Sequence, residues 1–347
     1  MKKICFFSRT ARPLFDRENT SKHGGAELQL YTLSREIKKR NYYVSFILGG
    51  KGPADSDGVK LRYINNLNGR KFYKLFTNFF EIMYIIKNEK PNFIVFRSAL
   101  VENIFLIIFS KFLNIKTVFM IAHERQLSFG HHKGILFDIL NKFLLIFSSK
   151  IICQSNYQLK MLKNYNHKSS LVRSIHKEVK HDNRIGEDII WIGRDISWKR
   201  FHIVEKLASL FPQYNFKILG LNGISKLENI SFLGFVKFEH TWDKICDSRI
   251  LINTSISEGF PNTFIQSWIC GKPVISLNVD PDNLIGDYKV GYCANDNFNL
   301  FAASIKYFMT NESIIKKVKK NSKIIMKEVF NPNSNIDKFE KILTKNG

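Results

Sequence analysis

Short apolar runs alternate along this chain with longer stretches in which apolar side chains return every third or fourth position. The first kind of run suits a strand buried on both faces and the second an amphipathic helix. Over the first half, strands are predicted at 2–8, 44–48, 60–64, 93–96, 117–121 and 150–153. Helices are predicted at 28–37 and near 70–88, 99–113, 133–148 and 155–164. After a polar segment short of core residues at 175–187, the rhythm resumes with strands at 188–193, 215–220, 230–236, 249–253 and 274–276. A helical tail from 298 onward is divided by Pro332, which cannot continue a helix. Strand and helix in alternation mean doubly wound parallel sheets. The expected domains are 1–174 and 188–330, with 175–187 as linker and 331–347 as a C-terminal helix.

The most informative stretch runs from Ser257 to Ser276. A buried strand at 249–253 delivers the chain to the loop Ser257-Glu258-Gly259-Phe260-Pro261. Asn262 or Thr263 can cap a helix carrying Phe264, Ile265, Gln266, Trp268 and Ile269, and Gly271 ends it before the strand at 274–276. In an open parallel sheet, ligands sit at the carboxyl ends of strands. The free N–H groups of a helix start favour an anion there, while a carboxylate such as Glu258 suits hydroxyl groups. Together these imply a phosphate beside a polyol.

Other strand ends offer related chemistry. Gly24 and Gly25 open the helix at 28–37, letting backbone approach a ligand closely. His123 follows the strand at 117–121, whereas His131 and His132 lack the spacing of a metal site. Arg194 and Lys199 flank the turn after 188–193, where two cations can clamp a diphosphate.

The Glu258 stretch resembles the glutamate, seven residues, glutamate signature of the retaining family 4 glycosyltransferases, which have the GT-B fold. That resemblance implies two Rossmann-like domains facing across a cleft, the first for the acceptor and the second for a nucleotide-sugar donor, with a C-terminal helix returning to the first. It assigns Glu258, Gly259 and Phe260 to the transferred sugar, Asn262 and Thr263 to the diphosphate, and position 266 to the ribose. Gln266 stands where the family has its second glutamate; an amide both accepts and donates a hydrogen bond but lacks the charge. Gly24 and Gly25 resemble the family's glycine-rich first loop. His123 matches a histidine near the reacting sugar, and Arg194 and Lys199 match an arginine and lysine on the diphosphate. Gly234 and Phe235 fall in a segment similar to the one whose backbone meets the base. The function implied is a metal-independent retaining hexosyltransferase, with no cofactor beyond its nucleotide-sugar co-substrate, acting on a saccharide or lipid-linked saccharide in surface polysaccharide assembly. A catalytically idle protein of the same fold is the alternative that Gln266 raises.

Composition narrows this picture. There is no Walker loop and no Gly-x-Gly-x-x-Gly, so nucleotide hydrolysis and hydride transfer lack their usual signatures. The aspartate pairs 55/57 and 280/282 imitate metal-binding pairs, but such short pairs arise easily by chance. Of the net charge of +23, residues 1–180 hold +19. That charge is lysine-rich and diffuse, which disfavours nucleic acid as a partner. Where Arg70, Lys71, Phe72, Lys74 and Phe76 interleave cations with large apolar groups, an anionic membrane surface is the expected partner. No apolar stretch approaches the ~20 residues that span a bilayer, so the expectation is a cytoplasmic protein, peripheral on the inner face of the membrane. The five cysteines show no paired spacing and are expected to be buried thiols.

Overall fold

Strand runs rich in Ile, Val and Phe assemble into two parallel sheets, each with helices on both faces. A computed structural model describes residues 1–16, 23–65, 72–128, 130, 134–176 and 185–344, without the side chains of 72–76. The first sheet contains β1 (Lys3–Phe7), β2 (Tyr43–Gly49), β3 (Asp55–Ser56), β4 (Val59–Ile64), β5 (Phe93–Arg97), β6 (Lys116–Met120), β7 (Lys150–Cys153) and β8 (Ser169–Leu171). Their order across the sheet is β3-β4-β2-β1-β5-β6-β7-β8, and only the β3–β4 pair is antiparallel. Its helices are α1 (Gly25–Lys38), α2 (Phe72–Glu89), α3 (Val101–Phe112), α4 (Ile135–Phe147) and α5 (Asn156–Met161).

The second unit strings together β9 (Asp188–Ile192), α6 (Phe201–Leu210), β10 (Phe216–Leu219), β11 (Ile230–Gly234), α7 (Phe238–Cys246), β12 (Ser248–Asn253), α8 (Asn262–Ile269), β13 (Val274–Ser276), α9 (Leu284–Tyr288), β14 (Gly291–Cys293), α10 (Phe298–Thr310) and α11 (Glu312–Glu328). Its sheet order is β11-β10-β9-β12-β13-β14, parallel throughout. Both sheets reverse direction once. The chain winds outward from β1 and then returns to β5 on its other side, and it does the same from β9 to β12. These reversals are the topological switch points, where crossover helices diverge and leave a crevice outside the strand ends.

Each sheet is covered on both faces by its own core. In the first unit, Leu30, Leu33 and Ile37 of α1 pack with Phe6, Phe46 and Val95 on one face, while α2, α3 and α4 cover the other. In the second, α6 and α10 cover one face and α7, α8 and α9 the other. The units are residues 1–175 with 332–347, and residues 176–331. The last helix, α12 (Pro332–Thr344), therefore belongs to the first unit: Ile336, Phe339 and Ile342 lie in the α1-side core. Asn335 Oδ1 also accepts the backbone N–H of Arg173 at 3.1 Å. Of the expected linker, 177–184 lie outside the described residues, Ile175 is buried in the first unit and His176 begins the second.

One expectation is overturned. Cys246, at the end of α7, and Cys270, after α8, form a disulfide, so they are not thiols. Positions 24 residues apart give no spacing signal; adjacency of α7 and α8 against β12 brings them together. Cys5 and Cys153 are buried thiols as expected, and burial pushes each up to about 12, but Cys293 is only half-buried. The helix α7 also escaped the sequence reading, although Phe238, Trp242, Ile245 and Cys246 recur at helical spacing on its inner side.

Two measurements check this fold. Denatured, unreduced protein should show three titratable thiols, rising to five after reduction; five without reductant would remove the disulfide. Replacing the fully buried Phe339 with Ala should cost the first unit ~3–5 kcal/mol. Urea unfolding in which that unit's transition stays put would show that α12 does not complete its core.

Candidate active site

The second switch point gathers the predicted donor residues. Strand β9 ends at Ile192, and the chain passes Gly193 and the exposed Arg194 into the turn Ser197–Lys199. Strand β12, paired beside β9, ends at Asn253 and feeds the loop carrying Glu258. The two segments meet: Lys199 Nζ forms an ion pair with Glu258 Oε1, which also accepts from Ser255 Oγ at 2.7 Å. Both side chains are mostly shielded, at 18% and 14% exposed, so the pairing holds the carboxylate's orientation. Arg194 carries no ion pair among the described residues.

Arg200 makes that meeting possible, and its role was missed in the sequence, where it reads as one more cation. It sits at φ 50°, in the left-handed region, between the Ser197–Lys199 turn and α6. From there Nε donates to Thr254 O at 2.6 Å, Nη2 to Ser255 O at 3.3 Å, and Nη1 pairs with Asp296 Oδ1 at 2.6 Å. Thr254 Oγ1 accepts from Trp191 Nε1 at 3.0 Å and donates to Lys199 O at 2.5 Å. The hydroxyl thereby uses donor and acceptor capacity at once. Nothing in spacing marks Arg200; only the β9–β12 pairing does.

The loop runs on into α8. Phe260 is buried against Phe330, ring centroids 5.3 Å apart, so only its backbone and that of Gly259 can face a ligand. Pro261 precedes α8 and no side chain caps its first turn, which leaves that end disposed toward an anion. Asn262 is engaged by the buried His176, whose imidazole burial pushes down to about 4, so it is neutral near pH 7. Thr263 is half-buried on the same turn. Gln266 is buried, and its amide makes no hydrogen bond to a described residue. At the end of β11, the Gly234 carbonyl accepts the Gly220 N–H at 2.7 Å, with Phe235 next in the chain. Gly220 itself has φ +87° and approaches Gly193 O so closely that a Cβ would lie 2.3 Å from it. Three strand ends are thereby drawn together without side chains between them.

In the first unit, Gly24 caps α1 with extended backbone, and Glu27 reaches back to its N–H at 2.9 Å while accepting from Thr10 Oγ1 at 2.7 Å. Gly25 is exposed as the first residue of the helix. His123 follows β6, and its Nδ1 accepts the N–H of Arg125 at 3.1 Å. That bond assigns the proton of the neutral ring to Nε2. Gln126 Oε1 fixes the turn by accepting from the N–H groups of Ala122 and His123.

Arg97, at the end of β5, was also missed. Its guanidinium is buried, donates through Nη2 to Gln154 Oε1 at 2.5 Å, and leaves Nε and Nη1 without a partner among the described residues. Burial holds it down at about 10. The tempting aspartates do structural work. Asp280 accepts from Ile285 and Gly286 N–H at the start of α9, Asp55 from Gly58 N–H, and Asp57 pairs with Arg35. Arg70, Lys71, His131 and His132 lie outside the described residues, as do the side chains of Phe72, Lys74 and Phe76.

With this geometry in hand, likeness to known proteins is informative. Residues 23–182 match the family profile Glycosyltransferase Family 4, and residues 186–311 match Glycosyl transferases group 1. Sucrose-phosphate synthase from Thermosynechococcus elongatus superimposes with a TM-score of 0.78 at 14% identity, over 99% of this chain and 98% of that one. Anabaena HepE, solved in complex with UDP and glucose, does so with 0.76 at 15% identity over 100% of both. A curated relative from Staphylococcus carnosus, UDP-N-acetylglucosamine–N-acetylmuramyl-(pentapeptide) pyrophosphoryl-undecaprenol N-acetylglucosamine transferase, is 24% identical over 247 residues. That match takes in 67% of this chain and 64% of the relative, so the chain spans a little under two thirds of it. The fold is GT-B. The chain belongs with the family 4-like glycosyltransferases.

Replacing Arg200 with Ala should loosen the loop that aims Glu258. Hydrogen bonds to charged groups contribute ~1.5–3 kcal/mol each, so a loss of roughly tenfold or more in donor affinity is expected. Titration calorimetry with nucleotide sugars measures it. Unchanged affinity in a folded variant would show that Arg200 does not position the site.

Proposed function

We propose that the chain transfers a hexosyl group, with retention of anomeric configuration, from a nucleotide diphosphate sugar to a saccharide or lipid-linked saccharide in bacterial-type surface polysaccharide assembly. The observation that carries this reading is the Lys199–Glu258 pair at the β9–β12 switch point, beside Arg194 and the uncapped start of α8. A carboxylate for sugar hydroxyls thus adjoins cations and N–H groups for a diphosphate. The likeness to HepE, solved with UDP and glucose, supports a nucleotide-sugar donor, and the curated relative's name supports a lipid-linked acceptor.

On this reading the bond between the anomeric carbon and the diphosphate oxygen breaks as the acceptor oxygen bonds to the same face. The acceptor's proton passes to a diphosphate oxygen. Arg194, Lys199 and the α8 N-terminus oppose the charge growing on the leaving group, the role a metal ion has elsewhere, and this interaction strengthens toward the transition state. Glu258 and Gly259 hold the sugar, Gln266 the ribose, and Gly234 and Phe235 border the base. In the first unit, the resemblance gives His123 a role toward the reacting sugar and gives Gly24 and Gly25 one toward the diphosphate. The working location is the inner face of the cytoplasmic membrane.

The test is nucleoside diphosphate release by purified protein across a panel of UDP-, GDP-, dTDP- and CDP-sugars, with the product anomer read by NMR. Arg194→Ala and Lys199→Ala should each lower release by ~10²-fold or more with secondary structure unchanged. Gln266→Glu should bind donor at least as well as the wild type. Normal turnover in either cation variant, or an inverted product, overturns the mechanism. Donor binding without release from any sugar would instead leave an idle nucleotide-sugar binder, the reading that Gln266 favours.

A further inference from the structure

A helix covering a sheet on one side normally shows polar residues on the other. Helix α4, Ile-Leu-Phe-Asp-Ile-Leu-Asn-Lys-Phe-Leu-Leu-Ile-Phe, does not. Its inner side puts Leu144, Leu145 and Asn141 against the sheet, yet Ile135, Leu136 and Ile139 are 74%, 79% and 58% exposed, with Ile146 and Phe147 also outward. Neighbouring helices continue the surface. Phe112 of α3 is 83% exposed, with Ile108 beside it on the helix, and α2 adds Phe80 and Tyr84. The three helices lie side by side over one core, joined by the Phe79–Phe105 contact and by Lys111 seated over the Phe147 ring. Large apolar side chains are thereby exposed along the outer side of these helices, Phe112 toward the Phe147 end and Ile135, Leu136 and Ile139 toward the other, and such surface marks an interaction site.

The charges say what covers it. Lys87, Lys111 and Lys142 are exposed on these helices, and Lys168 binds the carbonyls of Ile146 and Ser148 at the end of α4. The carboxylates of the same helices are all engaged: Glu89 by Arg62, Glu102 by Arg9, Glu81 by Asn65, and Asp138 by the N–H of Gly130. A second copy docked about a two-fold axis would bring the same exposed lysines from both sides, while the acids of these helices are already engaged. An anionic lipid surface accepts both the apolar side chains and the cations.

We propose that the outer face of α2, α3 and α4 is a membrane-docking surface, with Phe112, Ile135, Leu136 and Ile139 inserted among acyl chains and Lys87, Lys111 and Lys142 on anionic headgroups. This goes beyond the charged start of α2 expected from sequence, because it makes insertion of apolar side chains dominant and salt secondary. It rests on the acceptor reading above only for why a transferase would sit there.

The test is flotation of the full chain with phosphatidylcholine vesicles containing 30% phosphatidylglycerol, at low and high salt. The wild type should float at both, with less than a tenfold loss at high salt. The triple variant Ile135→Ser, Leu136→Ser, Ile139→Ser, which alters only exposed positions, should lose at least tenfold in partitioning while donor hydrolysis is unchanged. The reading is overturned if the serine variant floats like the wild type. It is equally overturned if only Arg70→Glu, Lys71→Glu, Lys74→Glu abolishes flotation, or if the face instead mediates a dimer that the serines dissociate. Because flotation does not require turnover, an inactive protein that floats would sink the transfer reading and leave this one standing.

Discussion

Thr254 is where the donor half of this protein is held together. Fully buried after β12, its hydroxyl receives the Trp191 indole N–H and donates to the Lys199 carbonyl, while its own carbonyl is taken by Arg200. One residue thus ties the end of β9, the turn behind it and the loop leading to Glu258. A buried polar group must be bonded or cost free energy, so each tie also enforces the others. The Lys199–Glu258 pair is the functional product of this network: neither long side chain would hold its place in water without it.

The two units solve the same problem with different materials. In each, the switch point beside the first strand is lined by charged or polar groups at strand ends, and the cores on both faces keep those ends rigid. The second unit supplies cations and a carboxylate in one cluster. The first supplies the α1 N-terminus with Glu27, the Nε2–H tautomer of His123, and the buried guanidinium of Arg97. Helix α12 completes the first unit's core although it follows the second in sequence, so that core closes only after the second unit has been made.

Exposed apolar residues on α3 and α4 weigh against solubility in the free protein, and no local structural need explains them. The strand-facing positions of α4 already supply its share of the core through Leu144 and Leu145. Among the described residues no helix is long and apolar enough to cross a membrane. On the docking reading proposed above, the apolar outer face of α4 would lie on a membrane surface.

By itself the sequence determined the alternation of strands and helices, both parallel sheets and the place of the Glu258 stretch. These follow from local periodicity and from Gly and Pro punctuation, which act over a few residues and survive any tertiary context. It also determined which residues end the strands, since a strand end is a local event: Arg194, Lys199, His123 and Gly24 all stand where expected. Tertiary structure decided what those residues touch. The clamp of Arg200, the Arg97–Gln154 hydrogen bond, the His176–Asn262 contact and the Cys246–Cys270 bond all join segments that only strand order and helix packing bring near. It also decided which apolar residues face outward. The period of α4 is hidden because both of its sides are apolar, and a pattern without contrast cannot say which one meets the core.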